Sequence, residues 1–288
     1  MHPTEFIGQN GLKLGADVGG NPNNPPAILM HGGGQTRHSW GETAVALADN
    51  GFYIVSLDMR GHGDTEWSPD GDYSIDRFVG DLREVCAAIG RPVALIGASL
   101  GGITALLAAG ETEAQIASAV ILVDVAPKVN RAGVEEIHRF MHNSAPKGFP
   151  SLEAAADAVA IYLPHRPRPT ENSGLLKNLR LRDDGRYYWH WDPRIVEIAP
   201  EALAKQYERM ATAARNIKVP SLLVRGGNSE LLDDASVNDF LELVPTAEYA
   251  VIKGAHHMVA GDSNTAFSSA VVDFMQRRVN HGKVGHFD

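Results

Sequence analysis

The sequence predicts an α/β protein in which a mostly parallel β-sheet is covered by helices on both faces. Short apolar runs rich in β-branched residues alternate with longer amphipathic stretches along most of the 288 residues, an order typical of parallel sheets. The apolar runs show no polar alternation, so each strand is expected to be buried on both faces. This order stops between about residues 127 and 216, which indicates an insertion into the sheet domain.

The predicted elements follow one another in a regular order. Residues 1–26 alternate weakly around turns and predict a β-hairpin at an edge of the sheet. The buried strands are expected at Ala27–Met30, Tyr53–Leu57, Val93–Ile96, Ala119–Val123, Ser221–Val224 and Tyr249–Ile252. Helical patterns between and after them cover residues 39–50, 73–89, 103–109, 234–243 and 264–279. Gly51 and Gly90 follow two of these patterns, as expected of residues that end helices.

The insertion divides the chain into a core of residues 1–127 and 217–288 and an inserted segment of residues 128–216. The inserted segment holds proline-rich loops, an aromatic cluster and helical patterns at Val134–Met141, Ser151–Leu163 and Glu201–Ala214. It contains no run typical of a buried strand. We therefore predict an all-helical cap that follows the sixth strand and lies over the carboxyl edge of the sheet.

Composition and charge exclude several classes of protein. Apolar residues make up 44% of the chain and charged residues 21%, as in an ordinary soluble globule. The net charge of −9 and the lack of a basic cluster argue against a nucleic-acid partner. No apolar run reaches the length of a membrane span and no secretory signal is visible, so we expect a cytoplasmic protein without a membrane partner.

Neither a cofactor nor a metal is expected. The single cysteine, Cys86, excludes an intramolecular disulfide and a thiolate metal cluster, and its helical pattern predicts a small buried residue. No H-E-x-x-H or comparable spacing gives the twelve histidines a role as metal ligands. No G-x-G-x-x-G follows the first strand, which disfavours a dinucleotide.

A serine between two glycines is the strongest chemical signal. Gly97-Ala98-Ser99-Leu100-Gly101 lies between a predicted strand and a predicted helix, the context that the G-x-S-x-G motif requires. A serine on so tight a turn has strained backbone geometry, and the glycines remove side chains that would collide there. The Ser99 hydroxyl is therefore predicted to be an exposed nucleophile, at the N-terminus of a helix that favours negative charge.

A base and an acid are needed to activate that hydroxyl. His257 follows the last strand and is the predicted base. The adjacent His256 is the alternative base, and it is expected to line the pocket if His257 is the base. Glu230 follows the fifth buried strand and is the preferred acid. Asp124, at the end of the strand before the insertion, is the alternative acid. The order serine, acid, histidine fits either choice.

Glycine-rich backbone after the first buried strand predicts an oxyanion hole. In His31-Gly32-Gly33-Gly34 the backbone can approach a substrate closely, so the N–H of Gly33 is the expected donor and that of Gly34 the alternative. The N–H of Leu100 is the expected second donor. His31 is predicted to contact substrate, together with the aromatic cluster Tyr187, Tyr188, Trp189 and Trp191.

Four stretches resemble the corresponding segments of the α/β-hydrolase superfamily. They are His31–Gly34, Asp58–Thr65, Gly97–Gly102 and Gly254–Val259. The resemblance covers nearly the whole chain and implies an eight-stranded sheet, a variable cap in the inserted segment and a hydrolytic Ser-His-acid site. The turn that begins at Asp58 is structural in that superfamily, so His62 is not predicted to be catalytic.

The sequence around Ser99 also indicates which branches of the superfamily this chain resembles. Gly97–Gly101 is unlike the G-D-S-A-G form of hormone-sensitive-lipase-like esterases and is similar to the capped esterase, lactonase and cofactor-free haloperoxidase-like branches. Because position 99 is serine and not aspartate, the activities of haloalkane dehalogenases and epoxide hydrolases are not implied.

These observations predict a serine hydrolase of small or medium carboxylic esters, with lactones among the candidate substrates. Ser99 would attack the carbonyl carbon and form an acyl-enzyme that water then hydrolyses. Two alternatives stay open. One is a cofactor-free perhydrolase or haloperoxidase that uses the same three residues with peroxide, and the other is a ligand receptor that has this fold without turnover.

Overall fold

The structure confirms the predicted α/β class with a mostly parallel sheet of eight strands. It is a computed structural model that describes residues 1–144, 147–166, 168, 171–197, 206–262 and 264–280. The strands are β1 (His2–Ile7), β2 (Lys13–Gly19), β3 (Pro26–Met30), β4 (Tyr53–Leu57), β5 (Val93–Ala98), β6 (Ala117–Val123), β7 (Leu179–Leu181), β8 (Tyr187–Trp189), β9 (Ser221–Gly226) and β10 (Glu248–Ile252). The order in the sheet is β1-β2-β4-β3-β5-β6-β9-β10. β1 and β2 form the predicted edge hairpin and β2 is antiparallel to β4, whereas the other pairs are parallel.

Helices cover both faces of this sheet. The α-helices of the described residues, including α4 and α5 of the inserted segment, are α1 (Gly41–Asp49), α2 (Ile75–Ile89), α3 (Leu100–Gly110), α4 (Arg131–Ser144), α5 (Leu152–Tyr162), α6 (Tyr207–Asn216), α7 (Asp234–Leu243), α8 (Val259–Asp262) and α9 (Asn264–Arg278). The first residues of the predicted helix Glu201–Ala214 lie outside the described residues, and α6 covers its second half. Within the described ranges, none of the helices combines the length and the apolar character needed to cross a bilayer.

Successive residues of the central strands enter two different cores. In β3, Ile28 and Met30 pack in the core formed with α2, α3, α6 and α7, whereas Ala27 and Leu29 pack with α1 and α9. All four side chains are fully buried. Burying one large aliphatic side chain contributes about 1.5–3 kcal/mol. Burial on both faces is therefore the reason why these strands are apolar without alternation.

Cys86 lies in α2 and is buried, as predicted. Burial raises the pKa of its thiol to about 12. The thiol is therefore protonated near neutral pH and behaves as a small apolar group.

The inserted segment is not all-helical, so that prediction is wrong. Between α5 and α6 it contains an antiparallel hairpin in which β7 pairs with β8 and Leu179 lies opposite Trp189. Each strand has only three residues, and Leu181 is 62% exposed. Such strands lack the continuous apolar run of a buried strand. Asp184-Gly185 in the connecting turn is a sequence signal that could have revealed the hairpin, since Gly185 has a φ of 75°.

Residues 190–194, here called the anchor, fix one side of the inserted segment to the core. The Gly63 N–H donates a hydrogen bond to the His190 carbonyl (2.7 Å), and the Asp192 N–H donates to the Gly61 carbonyl (2.9 Å). These bonds add backbone pairing between the inserted segment and the loop that follows β4. The anchor is therefore attached to the core by backbone hydrogen bonds and not by side-chain contacts alone.

Candidate active site

Ser99 lies at the turn from β5 into α3 and has an unusual backbone conformation, with φ 47° and ψ −113°. A Cβ added to Gly97 would lie 2.2 Å from the carbonyl oxygen of Gly101, and one added to Gly101 would lie 2.3 Å from that of Met30. Both distances are far inside van der Waals contact. The glycines are therefore required because backbone segments approach one another here, rather than because side chains would strike the serine.

His257 and Asp124 are joined by a hydrogen bond of 2.8 Å between Nδ1 and Oδ2. Asp124 follows β6, is fully buried, and has a φ of 50°. It also accepts hydrogen bonds from the Gly226 N–H (3.0 Å) and the Ser229 hydroxyl (2.6 Å). A carboxylate can only accept, so the His257 Nδ1 carries the proton and Nε2 keeps a lone pair. This arrangement suits a histidine that acts as a base.

The His257 ring donates to Asp124 and not to Glu230, contrary to the preferred pairing. The Glu230 Oε1 accepts from the His256 Nδ1 at 2.5 Å, and its Oε2 accepts from the His257 backbone N–H at 3.2 Å. The Glu230 side chain is 44% exposed, whereas the Asp124 side chain is fully buried. Partial burial alone would raise the pKa of Glu230, but the hydrogen bonds from both histidines outweigh it and hold the pKa below its ordinary value. The alternative acid, Asp124, is the one bonded to the ring.

The glycine loop after β3 lies against the serine. A Cβ added to Gly32 would lie 3.4 Å from the Ser99 Cβ. The Gly34 N–H donates to the His62 Nε2 at 3.1 Å, so this alternative donor is already in use. Within the described residues no acceptor takes the Gly33 N–H. Of the two glycines, Gly33 is therefore the better candidate for an oxyanion-hole donor, beside the N–H of Leu100 at the start of α3.

All of these groups lie at one edge of the sheet. The parallel strands β5, β6, β9 and β10 are neighbours in that order, and Ser99, Asp124, Glu230 and His257 follow them in turn. The carboxyl ends of parallel strands are the usual place for a ligand site in such sheets. The Hydrolase_4 family, described as serine aminopeptidase, S33, matches residues 25–264. This chain belongs to that family and is an α/β hydrolase.

Relatives and solved structures agree with this assignment. The hydrolase is 28% identical over 265 residues to esterase Rv0045c of Mycobacterium tuberculosis, covering 88% of this chain and 84% of the relative. It is 24% identical over 265 residues to the sn-1-specific diacylglycerol lipase ABHD11 of Mus musculus, covering 89% and 82%. The structure of E-2-(acetamidomethylene)succinate hydrolase has the same fold, with a TM-score of 0.84 at 20% identity over 96% of this chain and 100% of that chain. The chain is thus an esterase-like hydrolase of the α/β-hydrolase superfamily.

His31 is not placed to contact substrate in the hydrolase, contrary to the prediction. It is fully buried, its Nδ1 donates to the Gly32 carbonyl (2.8 Å), and its Nε2 accepts from the Met59 N–H (3.0 Å). The His62 ring lies edge-on to it, with centroids 4.9 Å apart. The His62 Nδ1 donates to the Arg60 carbonyl, and its Nε2 accepts the N–H of Gly34 in the glycine loop. Both rings connect the loops after β3 and β4. His31 is therefore a structural residue beneath the site.

We expect these two histidines to make the hydrolase less stable as the pH falls below about 6.5. Burial lowers the pKa of His31, and burial together with the His31 ring lowers the pKa of His62 to about 3. Between the unfolded value and the folded value the unfolded chain binds more protons, so stability decreases by about 1.4 kcal/mol per pH unit for each fully neutral histidine. Urea unfolding between pH 7.5 and pH 5 measures this slope.

The matched comparison is His62→Gln beside His2→Gln on the exposed strand β1. His62→Gln should reduce the slope of the free energy of unfolding against pH by about 1.4 kcal/mol per pH unit. His2→Gln should leave this slope close to that of the unmodified protein. Equal slopes in all three proteins would contradict the assignment of His62 as a neutral buried histidine.

The four aromatic residues predicted to line the pocket have different surroundings. Trp191 is nearest the glycine loop, since a Cβ added to Gly34 would lie 3.6 Å from its Nε1. Trp189 is 9% exposed, packs edge-on against the Phe149 ring at 5.3 Å and donates to the Ser144 hydroxyl. These contacts place Trp189 in the interior of the inserted segment.

The two tyrosines of β8 are also not gathered at the glycine loop. The Tyr187 backbone forms a bridge with Phe149. The Tyr188 hydroxyl donates to Asp184 at 2.9 Å, and the Arg182 guanidinium lies 4.1 Å above its ring. Tyr188 therefore lies on the opposite face of β8 from Trp189, and its contact with substrate stays a prediction.

Two residues near the site were missed from the sequence. Met141 of α4 lies over the glycine loop, with its Cε 3.2 Å from a Cβ added to Gly34. Ser229 holds the Asp124 carboxylate and also accepts hydrogen bonds from the N–H groups of Leu231 and Leu232. Met141 ended a predicted helix, but its sequence neighbours carry no signal that it faces the core site.

Proposed function

We propose that this hydrolase cleaves carboxylic esters, including lactones, by way of an acyl-enzyme formed on Ser99. The observation that carries the proposal is the hydrogen bond from the His257 ring to the buried Asp124, at the edge of the sheet where Ser99 sits on its strained turn. A serine, an oriented histidine and a buried carboxylate are the parts of an acyl-transfer site. Two relatives, an esterase and a diacylglycerol lipase, are named for the cleavage of esters, which agrees with this chemistry.

The proposed first step is the attack of the Ser99 Oγ on the ester carbonyl carbon. His257 Nε2 takes the hydroxyl proton as the new C–O bond forms, and Asp124 stabilises the resulting imidazolium without being protonated itself. The developing oxyanion would be bound by the N–H groups of Gly33 and Leu100. Removing one such donor typically costs on the order of 10²–10³-fold in kcat.

The second step releases the alcohol and then the acid. His257 returns its proton to the leaving alcohol oxygen, and the C–O bond to the alcohol breaks. Water then enters, gives a proton to His257 and attacks the acyl carbon. The bond between the acyl carbon and the Ser99 Oγ breaks, His257 returns the proton to that oxygen, and the carboxylic acid leaves. No cofactor is needed at any point of this cycle.

We also propose that the inserted segment acts as the cap that selects the substrate. Met141 and Trp191 lie over the glycine loop and would offer apolar surface to the acyl or alcohol group. Apolar walls with few polar groups are typical of pockets for small molecules. The proposed substrates are therefore small or medium esters with an apolar portion.

Labelling with a fluorophosphonate tests the proposal directly. The probe reacts with a serine only where a base and an oxyanion hole activate it. Trypsin should release the modified residue in the peptide of residues 84–128, because Arg91 precedes proline and is not cleaved. This peptide contains two serines, Ser99 and Ser118, so fragmentation provides an internal control. Modification of Ser99 alone is expected, and modification elsewhere with Ser99 untouched would refute the proposal.

A further inference from the structure

Three possible metal ligands from distant parts of the chain meet beside the proposed active site. His165 follows α5 in the inserted segment, Glu230 follows β9, and His256 follows β10. One ligand atom from each lies within 4.8 Å of the other two. The sequence predicted no metal ligands because these residues form no local spacing motif.

The contacts within this trio, here called the His-Glu-His cluster, are close. His256 Nδ1 lies 2.5 Å from Glu230 Oε1. The rings of His165 and His256 are stacked, with centroids 3.4 Å apart and planes 12° apart. Two imidazoles and one carboxylate thus lie next to one another at the junction of three elements, and each belongs to a residue with some solvent exposure.

We propose that the His-Glu-His cluster binds a divalent transition-metal ion such as Zn²⁺. Imidazole nitrogen and carboxylate oxygen are ordinary Zn²⁺ ligands, and two histidines with one carboxylate leave a fourth position for water. Mg²⁺ and Ca²⁺ prefer oxygen ligands, so this donor set disfavours them. In a tetrahedral site with bonds of about 2.0–2.1 Å, ligand atoms lie roughly 3.3–3.4 Å apart. His256 Nδ1 and Glu230 Oε1, which are 2.5 Å apart, would therefore separate by rotation of these side chains to admit the ion. The proton that the His256 Nδ1 donates to Glu230 would be released.

The bound ion would connect the inserted segment to the core. His165 comes from the inserted segment, whereas Glu230 and His256 come from the core loops after β9 and β10. Glu230 also accepts the His257 N–H at 3.2 Å. An ion on Glu230 would therefore act on the loop that carries His257. It would hold the inserted segment over that loop at the same time.

This effect on turnover rests on the proposed function, whereas binding of the ion does not. If ester cleavage needs the inserted segment to move for substrate entry or release, Zn²⁺ should inhibit it. Binding of the ion is measured without any substrate, so the two ideas can fail separately.

Isothermal titration calorimetry of the full chain, freed of metal with a chelator and titrated with ZnCl₂, tests the proposal. We expect one site per chain. His165→Ala should weaken binding by at least about tenfold, since even changes outside the ligand shell commonly cost 10–100-fold. MgCl₂ should produce no comparable heat.

The matched control is His142→Ala. His142 and His138 are one turn apart on α4 of the inserted segment, and the centroids of their stacked rings are 6.2 Å apart. This control should leave Zn²⁺ affinity unchanged. Loss of affinity in His142→Ala with none in His165→Ala would place the ion on α4 and overturn the proposal.

A second variant and a kinetic readout make the test independent of folding. His256→Gln should weaken Zn²⁺ binding like His165→Ala, and the melting temperature of each variant without metal reports whether it is folded. Both variants should also lose the rise in melting temperature that ZnCl₂ produces in the unmodified protein. His165→Ala should cleave ester at the unmodified rate while becoming resistant to Zn²⁺. Inhibition that is equally strong in His165→Ala would show that the ion acts at His257 or elsewhere, and the proposal would be wrong.

Discussion

Ser99→Ala is expected to lower the kcat of ester hydrolysis on the order of 10⁶-fold, to the level left by the oxyanion hole and substrate binding. The substitution removes the proposed nucleophile, and no neighbouring group can form the acyl-enzyme. Hydrolysis of p-nitrophenyl esters of graded acyl length, followed by absorbance, measures the loss. Fluorophosphonate labelling should disappear in the same variant.

The fold should survive this substitution. Alanine at position 99 meets the same backbone strain at a φ of 47° as serine does, so the melting temperature should change little. Ser118→Ala is a suitable control. Its Oγ is buried and, within the described residues, makes no hydrogen bond, so removing it should leave the activity unchanged. Turnover by Ser99→Ala in a preparation free of host esterases would remove Ser99 from the mechanism.

The second large effect distinguishes the two acids. Asp124→Asn should lower kcat on the order of 10⁴-fold, because an amide can donate to Nδ1 and so stabilise the wrong tautomer of His257. The amide oxygen can still accept from the Gly226 N–H, which limits the structural damage. The measurement is kcat for the same esters, with a melting curve for each variant.

Glu230→Gln is the partner experiment. The amide oxygen of glutamine can still accept the His257 N–H, and the ring keeps its bond to Asp124. We expect a loss of less than about tenfold, because no group in the proposed reaction changes its charge. A larger loss in Glu230→Gln than in Asp124→Asn would reverse the assignment and restore the acid preferred from the sequence.

The fold was largely predictable because its signals are local. Strands such as Ala27–Met30 are apolar on both faces, and the turn at Gly97–Gly101 needs glycines for contacts that any chain with that turn would make. The short hairpin β7–β8 was missed since only one face of it is buried, which removes the continuous apolar pattern.

The choice of acid was not predictable, because it depends on side-chain direction. Asp124 and Glu230 each follow a strand, at the same edge of the sheet, and each could reach a histidine. The backbone at Asp124 turns to a positive φ and directs the carboxylate to the His257 ring, whereas Glu230 reaches the ring next to it. A sequence does not show such a turn at a residue other than glycine.

His31 was misjudged for a related reason. The residues His31–Gly34 predict a loop near the substrate, and that loop does lie against Ser99. The ring of His31 nevertheless points below it, where the Met59 N–H occupies its Nε2. The position of a residue in a loop thus predicts its neighbourhood but not the face to which its side chain turns.

The anchor determines how the site can open. The side of the inserted segment that carries the anchor is fixed to the core by backbone bonds to Gly61 and Gly63. A bond of 2.6 Å from the Tyr73 hydroxyl to Asp192 adds to them. Beside Glu230 the inserted segment meets the core through the stacked rings of His165 and His256 and through one backbone bond, from the Asn130 N–H to the Leu231 carbonyl (2.8 Å). Since the anchor has two such backbone bonds, we expect any opening of the inserted segment to begin on this second side.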